Sequence, residues 1–506
     1  MFLAPVDNLS DEARERGVRQ MVIESAFSNT TGAMTSGVIL TAFALYLGAP
    51  NSVIGLLAAL PFWTQLLQAP SVVLIERLRT RKRIAVVSSV LGRAMLVGMA
   101  VLAFFPGGPS LGALLAAQLV YCAAGAVGGC AWNAWIRDLA PEQRLGEIVA
   151  KRNIWSTLVS MVAGLAAAFA LDAAAPGSPL RGWAFFGLYI VGCLFGMISA
   201  LIVARMPEPA MPALHEKVDF FALLRAPFRD VNFRRLIAYL ASWQFAANLA
   251  TPFFTVFFVR QLGFSMTFVV MLSVVSQLAN LIALRSWGLL SDRFSNKSVL
   301  AFATPIFLLC IAGMVGASQI EDRDWAAAYL VGLHLLMGLA SAGVTLATAN
   351  IALKLSPKGS ATAYVAASAM VSSAAAGLAP VLGGLFADFF SVRALEIALR
   401  WTSPDGALVV RALRLSNWDF FFLIAAVLGL YALHRLSLVR EEGEIDSRRM
   451  RAEVLSQARQ VVRNLSPVAG LRHLTEIPGA FVRDAQIRAR LTRARRNAGV
   501  ETTPAE

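Results

Sequence analysis

Apolar stretches of about twenty residues, separated by short polar ones, recur along the whole chain. A hydrocarbon core about 30 Å thick asks for about 20 mostly apolar residues per helix. Twelve spans are predicted on that basis, at 19–48, 53–75, 84–105, 110–136, 150–172, 183–204, 234–259, 266–290, 298–318, 325–353, 361–388 and 417–438. They divide the chain into a segment 1–18, six helices over 19–204, a linker 205–233, six helices over 234–438 and a tail 439–506. Pro207, Pro209 and Pro212 make the linker a poor helix and a natural bridge. The expected fold class is an all-α, polytopic membrane protein.

Composition sharpens this. Of the 506 residues 57% are apolar and 15% charged, against about 45–50% and about 25% in soluble domains. A soluble globular chain and a disordered one are both excluded. The net charge of +14 would suggest nucleic acid in a soluble protein, but here it sits on alternate connections. The second connection carries Arg77, Arg79, Arg81, Lys82 and Arg83 and the fourth Arg137, Arg144, Lys151 and Arg152, whereas the first and third carry none. The positive-inside rule then puts the even-numbered connections, the linker and both termini in the cytoplasm of an inner-membrane protein, with no nucleic-acid role.

Residues 1–17 carry Asp7, Asp11, Glu12, Arg14 and Glu15, so the first span reads as an uncleaved start-transfer segment. The eleventh connection, about 389–415, should be external yet carries Arg393, Arg400, Arg411 and Arg414; it is read as a long amphipathic loop. In the tail, Met450, Val454, Ala458, Val461 and Leu465 recur at helical spacing beside Arg448, Arg449, Arg451, Arg459 and Arg463. A basic amphipathic helix on the anionic inner leaflet fits that pattern, as does a solvated helix. Cys122, Cys130, Cys193 and Cys310 fall inside apolar runs without metal-like spacing and read as buried thiols. No metal, cofactor or catalytic grouping is expected, because His215, His334, His434 and His473 are scattered and no nucleotide loop is present.

The chain also repeats itself. Glu76-Arg77 matches Asp292-Arg293, Pro141 matches Pro357 and Asp172 matches Asp388, all at an offset of 216 residues. Trp183-Ala184-Phe185-Phe186 then matches Trp418-Asp419-Phe420-Phe421 at 235, so the eleventh connection holds an insertion. Two sets of six helices in the same orientation form a parallel repeat, an arrangement of alternating-access carriers.

The run Gly288-Leu289-Leu290-Ser291-Asp292-Arg293-Phe294-Ser295-Asn296-Lys297 resembles the G-x-x-x-D-R-x-G-R-[RK] signature of the major facilitator superfamily. Between helices 2 and 3 the matching run, Val72 to Arg83, lacks the glycine and has Glu76 for the aspartate. The resemblance implies two six-helix bundles and a cytoplasmic latch. Glu76 would lie against the N-terminus of helix 11 near Ser360 to Thr362, and Asp292 against helix 5 near Glu147 to Val149, where helix dipoles favour negative charge. Arg77, Arg81, Arg137 and Arg293 would complete the network; ordinary topology-setting charges are the alternative. Gly377-Leu378-Ala379-Pro380-Val381-Leu382-Gly383-Gly384 resembles an antiporter motif displaced from helix 5 to helix 11, and close helix packing explains its small residues equally well.

In this architecture helices 1, 4, 7 and 10 line the cavity. Helix 1 carries Glu24, Ser28, Thr31 and Thr35 on one stripe, helix 7 Gln244, Asn248, Thr251 and Thr255, helix 10 His334, Ser341 and Thr345, and helix 4 Gln118, Tyr121 and Trp132. Thr251 is the repeat mate of Thr35, and His334 of Gln118. Few fixed charges and several aromatics suit a small neutral or amphipathic solute. Ionisable groups in a membrane are costly and are functional candidates by default. Glu24 reads either as a gate paired with Lys151 or Arg152 or as a proton-coupling carboxylate, and His334 either as a titrating group or as a histidine bonded to a backbone carbonyl. The expected function is a secondary active transporter of a small solute, working as a monomer without cofactors, with a proton as candidate coupling ion. Export of drugs or metabolites and a transporter-like sensor are the alternatives.

Overall fold

A computed structural model describes residues 9–141, 144–211, 220–357, 361–403, 406–416 and 418–441. Ser360, the linker stretch 212–219 and the tail's expected amphipathic helix lie outside these residues. Among the described residues ten helices are long and apolar enough to cross a membrane. They are helix 2 (Asn51–Leu78), helix 3 (Arg81–Leu102), helix 4 (Gly108–Leu139), helix 5 (Leu145–Ala173), helix 6 (Pro179–Arg205), helix 8 (Met266–Arg293), helix 9 (Asn296–Gln319), helix 10 (Arg323–Lys354), helix 11 (Ala361–Phe390) and helix 12 (Trp418–Ser437).

The two other predicted spans, 1 and 7, are not continuous helices, and they break at repeat-related positions. Helix 1 runs Asp11–Thr35 and resumes as Val38–Tyr46. Helix 7 runs Val231–Ala250 and continues as a 3-10 turn, Thr251–Phe253, a single turn, Phe254–Val256, and a π turn, Phe257–Gln261. Immediately before each break a threonine hydroxyl donates back to the i−4 carbonyl, Thr35 to Thr31 at 2.7 Å and Thr251 to Ala247 at 3.0 Å, a bond that bends helices. The break is completed differently in each half. Gly37 supplies φ +56° with ψ −122°, which a Cβ forbids, whereas Pro252 removes an N–H donor. Gly37→Ala is therefore expected to lower stability by about 1–3 kcal/mol, read as a fall in the thermal midpoint of detergent-purified protein; an unchanged midpoint would mean that the break does not depend on the glycine.

The eleventh connection is a correction to the sequence reading of a long loop. It is an antiparallel hairpin, β1 (Ala394–Ser403) with β2 (Gly406–Ser416), bulged between Ile397 and Ala398. Leu395, Ile397, Leu399 and Trp401 alternate with polar or small residues, the period of a strand rather than a helix. In the linker a short helix, Phe220–Arg229, follows the undescribed stretch.

Packing repeats with the sequence. In the first half helix 1 packs on 5 and 6, helix 3 on 4 and 6, and helix 2 on 4. Helix 7 packs on 11 and 12, helix 9 on 10 and 12, and helix 8 on 10 in the second. Each half also places one buried carboxylate, just beyond its sixth helix, on the N-terminus of its third. Glu208 accepts from the Arg81 N–H at 2.6 Å. Glu441 accepts from Lys297 N–H at 2.7 Å, Asn296 Nδ2 at 3.0 Å and Lys354 Nζ at 3.0 Å. Burial pushes the Glu208 carboxyl above the usual carboxylate range, opposed by its hydrogen bonds from Arg81 and Lys82 and by the Arg81 charge.

Candidate functional site

Both helix breaks face one cavity. It measures about 500 Å³ and is lined by Ser36, Gly37 and Thr41 of helix 1, Ile54 to Pro61 of helix 2, Gln118, Tyr121 and Cys122 of helix 4, and Thr251, Pro252 and Thr255 of helix 7. Interrupted helices expose backbone polar groups that a continuous helix would satisfy, and such groups are tolerated at membrane depth where they line a cavity. The wall is otherwise apolar, with Leu40, Leu57 and Ala58 among its members.

A second cavity of about 320 Å³ shares Pro61, Tyr121 and Cys122 with the first and is built from helices 1 to 6 alone. Glu24, Ser28, Arg93, Trp132 and Arg152 line it. Glu24 is 6% exposed; its Oε1 accepts from the Ser199 hydroxyl at 2.9 Å, its buried Oε2 has no hydrogen-bond partner among the described residues, and the Arg152 and Arg93 charges act on it. Arg93 is anchored by Nε on Gly196 O at 3.0 Å and by a further nitrogen on Ser89 O at 3.3 Å, and it reaches Ser28 Oγ and Ser199 Oγ at 3.4 Å. A Cβ on Gly196 would fall 2.5 Å from Arg93 Cγ, so the glycine makes room for this side chain to cross helix 6. The sequence reading missed Arg93. Its signal was an arginine deep inside an apolar run, on a helix that the assumed order of cavity-lining helices leaves out.

Other candidates fall elsewhere. Thr31 donates to Gly192 O at 3.0 Å and Thr35 is 1% exposed against the same glycine, so half of the helix 1 stripe packs on helix 6. His334 is buried between the rings of Phe254 and Phe258, with Nδ1 2.9 Å from Leu330 O. Asn248 donates to Gln244 O at 2.9 Å, and Ser341 accepts from Asn280 at 2.9 Å. None of His334, Gln244, Asn248, Ser341 or Thr345 lines either cavity.

The two halves meet on the face opposite the basic connections. Asp172, at the end of helix 5, accepts from the N–H groups of Met266 at 3.0 Å and Thr267 at 2.7 Å, which begin helix 8. Its repeat mate Asp388, at the end of helix 11, accepts from Asn51 at 3.1 Å and Ser52 at 2.9 Å, which begin helix 2. Each carboxylate thus caps the first turn of a helix in the other half, where N–H groups and the dipole favour it. Arg260 adds a bond to Ala49 O at 3.1 Å.

Helices 2 and 11 touch backbone to backbone here. A Cβ on Gly55 would fall 2.0 Å from Pro380 O, one on Gly384 2.4 Å from Asn51 O, and one on Gly377 2.3 Å from the Trp63 ring. The motif-like run at 377–384 is therefore a close-packing surface between the halves.

On the basic face the described candidates stand exposed or pack within their own half. Glu76, Arg77, Arg137 and Asp292 are exposed, and Gln68–Leu78 of helix 2 packs on helices 3 and 4 of its own half. Arg81 is committed within its half: 2% exposed, it bonds Asp138, Ala134 O at 3.2 Å and Pro209 O at 2.9 Å and lies 3.6 Å from Glu208. Arg293 lies over the Phe294 ring, 5.2 Å from its centroid.

A model of the Major Facilitator Superfamily matches residues 25–335. Among solved structures the chain is similar to a mutant form of the nucleoside transporter NupG, with a TM-score of 0.64 and 15% identity over 84% of this chain and 100% of that one. It is similar to a bacterial homolog of the human lysosomal transporter Spinster in an inward-facing, occupied conformation, with a TM-score of 0.61 and 16% identity over 85% and 97%. A D-xylose-proton symporter gives a TM-score of 0.61 and 14% identity over 86% and 100%. No curated protein sequence matches the chain. The structural likenesses, at such identities, speak for the fold, and the match over 25–335 speaks for the family. With its duplicated helices and two internal cavities, the chain belongs to the Major Facilitator Superfamily, as a multi-pass membrane transporter and not an enzyme.

Proposed function

We propose that the protein is a secondary active transporter that moves a small solute across the inner membrane by alternating access, the bundles 19–204 and 234–438 rocking about the cavity at the two helix breaks. The observation that carries this reading is the asymmetry of its two faces. Repeat-related aspartates hold one face shut, while Glu76 and Asp292 stand exposed on the other. In the opposite state the Asp172 and Asp388 caps open and Glu76 and Asp292 take up the N-termini of helices 11 and 5, with Arg77, Arg137 and Arg293 nearby. Carboxylate on helix N-terminus is exchanged for carboxylate on helix N-terminus, so neither state is deeply favoured.

The basic face is cytoplasmic in this reading, with both termini, and the arginine-rich tail 439–506 meets the anionic leaflet. Glu24 is the coupling group for a proton, because it alone among the charged candidates is a buried carboxylate on a cavity wall with an unpartnered oxygen. The run at 377–384, which resembles an antiporter motif, packs helix 11 on helix 2.

The test is a thermal-shift screen of purified protein against metabolite classes, followed by flux of the stabilising compounds into everted vesicles with and without a pH gradient. Wild type and His334→Gln are expected to follow the gradient, and Glu24→Gln to lose that dependence. Flux indifferent to both the gradient and Glu24→Gln removes proton coupling; stabilising compounds that never cross remove the carrier.

A further inference from the structure

On the wall of the 320 Å³ cavity of the first bundle two arginines face a single carboxylate, Glu24. We propose that the cavity binds a small organic monoanion, a carboxylate on an apolar body, paired with Arg93 and Arg152 and packed on the rings of Tyr121 and Trp132. The proposal rests on the transporter reading and names its substrate class; the site adjoins the cavity at the helix breaks, with which it shares Pro61, Tyr121 and Cys122.

Charge is the first argument. Glu24, Arg93 and Arg152 are the only charged residues on the wall. With Glu24 ionised they sum to +1, and with Glu24 protonated to +2, so the cavity is positive in either state. Arg93 and Arg152 are half-buried, where the excess positive charge is less well solvated than in open water, and a monoanion of the solute offsets it. A dication or an amine would add to it.

The second argument is the state of the donors. Arg93 is a fixed group, its guanidinium held on Gly196 O and Ser89 O and coupled through Ser199 to Glu24. Arg152 is held more loosely: its charge acts on Glu24 without a direct hydrogen bond among the described residues, and its Nε is buried without a hydrogen-bond partner. A planar guanidinium left with open donors is matched in shape by a carboxylate, which accepts two of its N–H groups at once. The glycines along helix 4 at 125, 128 and 129 leave the space, and Tyr121 and Trp132 supply the surface for an apolar body.

The third argument is the wall itself. Its remaining polar members are short hydroxyls and amides, Ser28, Thr64, Gln65, Ser88 and Ser89, which bind no second charge. One carboxylate is therefore the complement, and a dianion exceeds it.

Thermal unfolding of the purified full-length protein tests this, with benzoate and phenylacetate each titrated against its own amide, and with benzylamine and inorganic phosphate as further probes. The acids are expected to raise the midpoint and the amides, the amine and phosphate to leave it unchanged. Arg152→Gln should weaken the acids by roughly tenfold or more, and Arg152→Lys, which keeps the charge but not the fork, should restore part of that loss. The inference is overturned if neither acid stabilises, if amides or amine match the acids, if phosphate replaces them, or if Arg152→Gln titrates as wild type. Flux of the same acids is read separately: acids that bind without crossing speak against the carrier and leave the site standing, and acids and amides that cross equally leave the carrier standing and overturn the anion site.

Discussion

Replacing Asp172 and Asp388 together by asparagine is expected to release the closed face. Each aspartate accepts two N–H groups of the first turn of a helix in the other half. Asparagine keeps one accepting oxygen, loses the charge that the helix dipole favours and turns an NH2 donor toward an N–H. Hydrogen bonds to charged groups contribute about 1.5–3 kcal/mol, so one replacement at about 2 kcal/mol changes the closed-to-open ratio by about 30-fold, and both by about 1000-fold if they add. A reporter cysteine in place of Thr41, on the cavity wall at the helix 1 break, in a Cys122→Ala background, should then react with an impermeant maleimide from that face far faster than in the parent. Rates within about twofold of the parent would sink the idea that these caps hold the face shut. The single variants give the internal check, since each should lie between the parent and the pair.

Gly55→Val is expected to act in the same direction by sterics rather than charge. The added Cβ would lie 2.0 Å from Pro380 O and 2.9 Å from Pro380 C, both backbone atoms in helix 11, so no side chain can swing away to relieve it. Helices 2 and 11 must part by more than 1 Å to reach ordinary contact of about 3.5–4 Å, and the Asp388 bonds to Asn51 and Ser52 lengthen with them. Overpacking costs about 1–3 kcal/mol and more where backbone must move, enough to depopulate this closed state about 100-fold. Flux should collapse while membrane insertion persists, because spans insert by their apolar content. Gly98→Ala is the control: a Cβ there meets nothing within 4 Å, and flux should be unchanged. Equal flux in Gly55→Val and Gly98→Ala would show that the helix 2 and helix 11 contact is dispensable.

The two predictions concern one surface, and the sequence held half of it. Asp172 and Asp388 stand out as a pair because the 216-residue offset aligns them. Nothing in a one-dimensional pattern says that they reach across to helices 8 and 2, because a cap between helices far apart in sequence leaves no periodic trace. The basic-face partners show the converse. For them the sequence predicts a carboxylate against a helix N-terminus. That contact is realised in this structure on the other face by other aspartates, while Glu76 and Asp292 remain exposed.

The helix breaks were hidden for a different reason. A threonine, a glycine or a proline inside an apolar run scarcely changes its hydropathy, so spans 1 and 7 look continuous; the i−4 bonds of Thr35 and Thr251 become visible only once backbone geometry is known. Arg93 was visible as an anomaly, since charge within a span is expensive. Its reach from helix 3 across Gly196 into the cavity depends on side-chain length and on a neighbour without a Cβ.

By itself, then, the sequence determined the membrane class, the duplication and the basic face, because each follows from one-dimensional quantities: apolar run length, a constant offset and the placement of lysine and arginine. The tertiary structure alone decided on which face the aspartates join the halves, where two helices break, and which three charges share a cavity. Those depend on contacts between helices distant in the chain, on backbone dihedrals at single residues and on buried atoms left without partners, none of which hydropathy or spacing encodes.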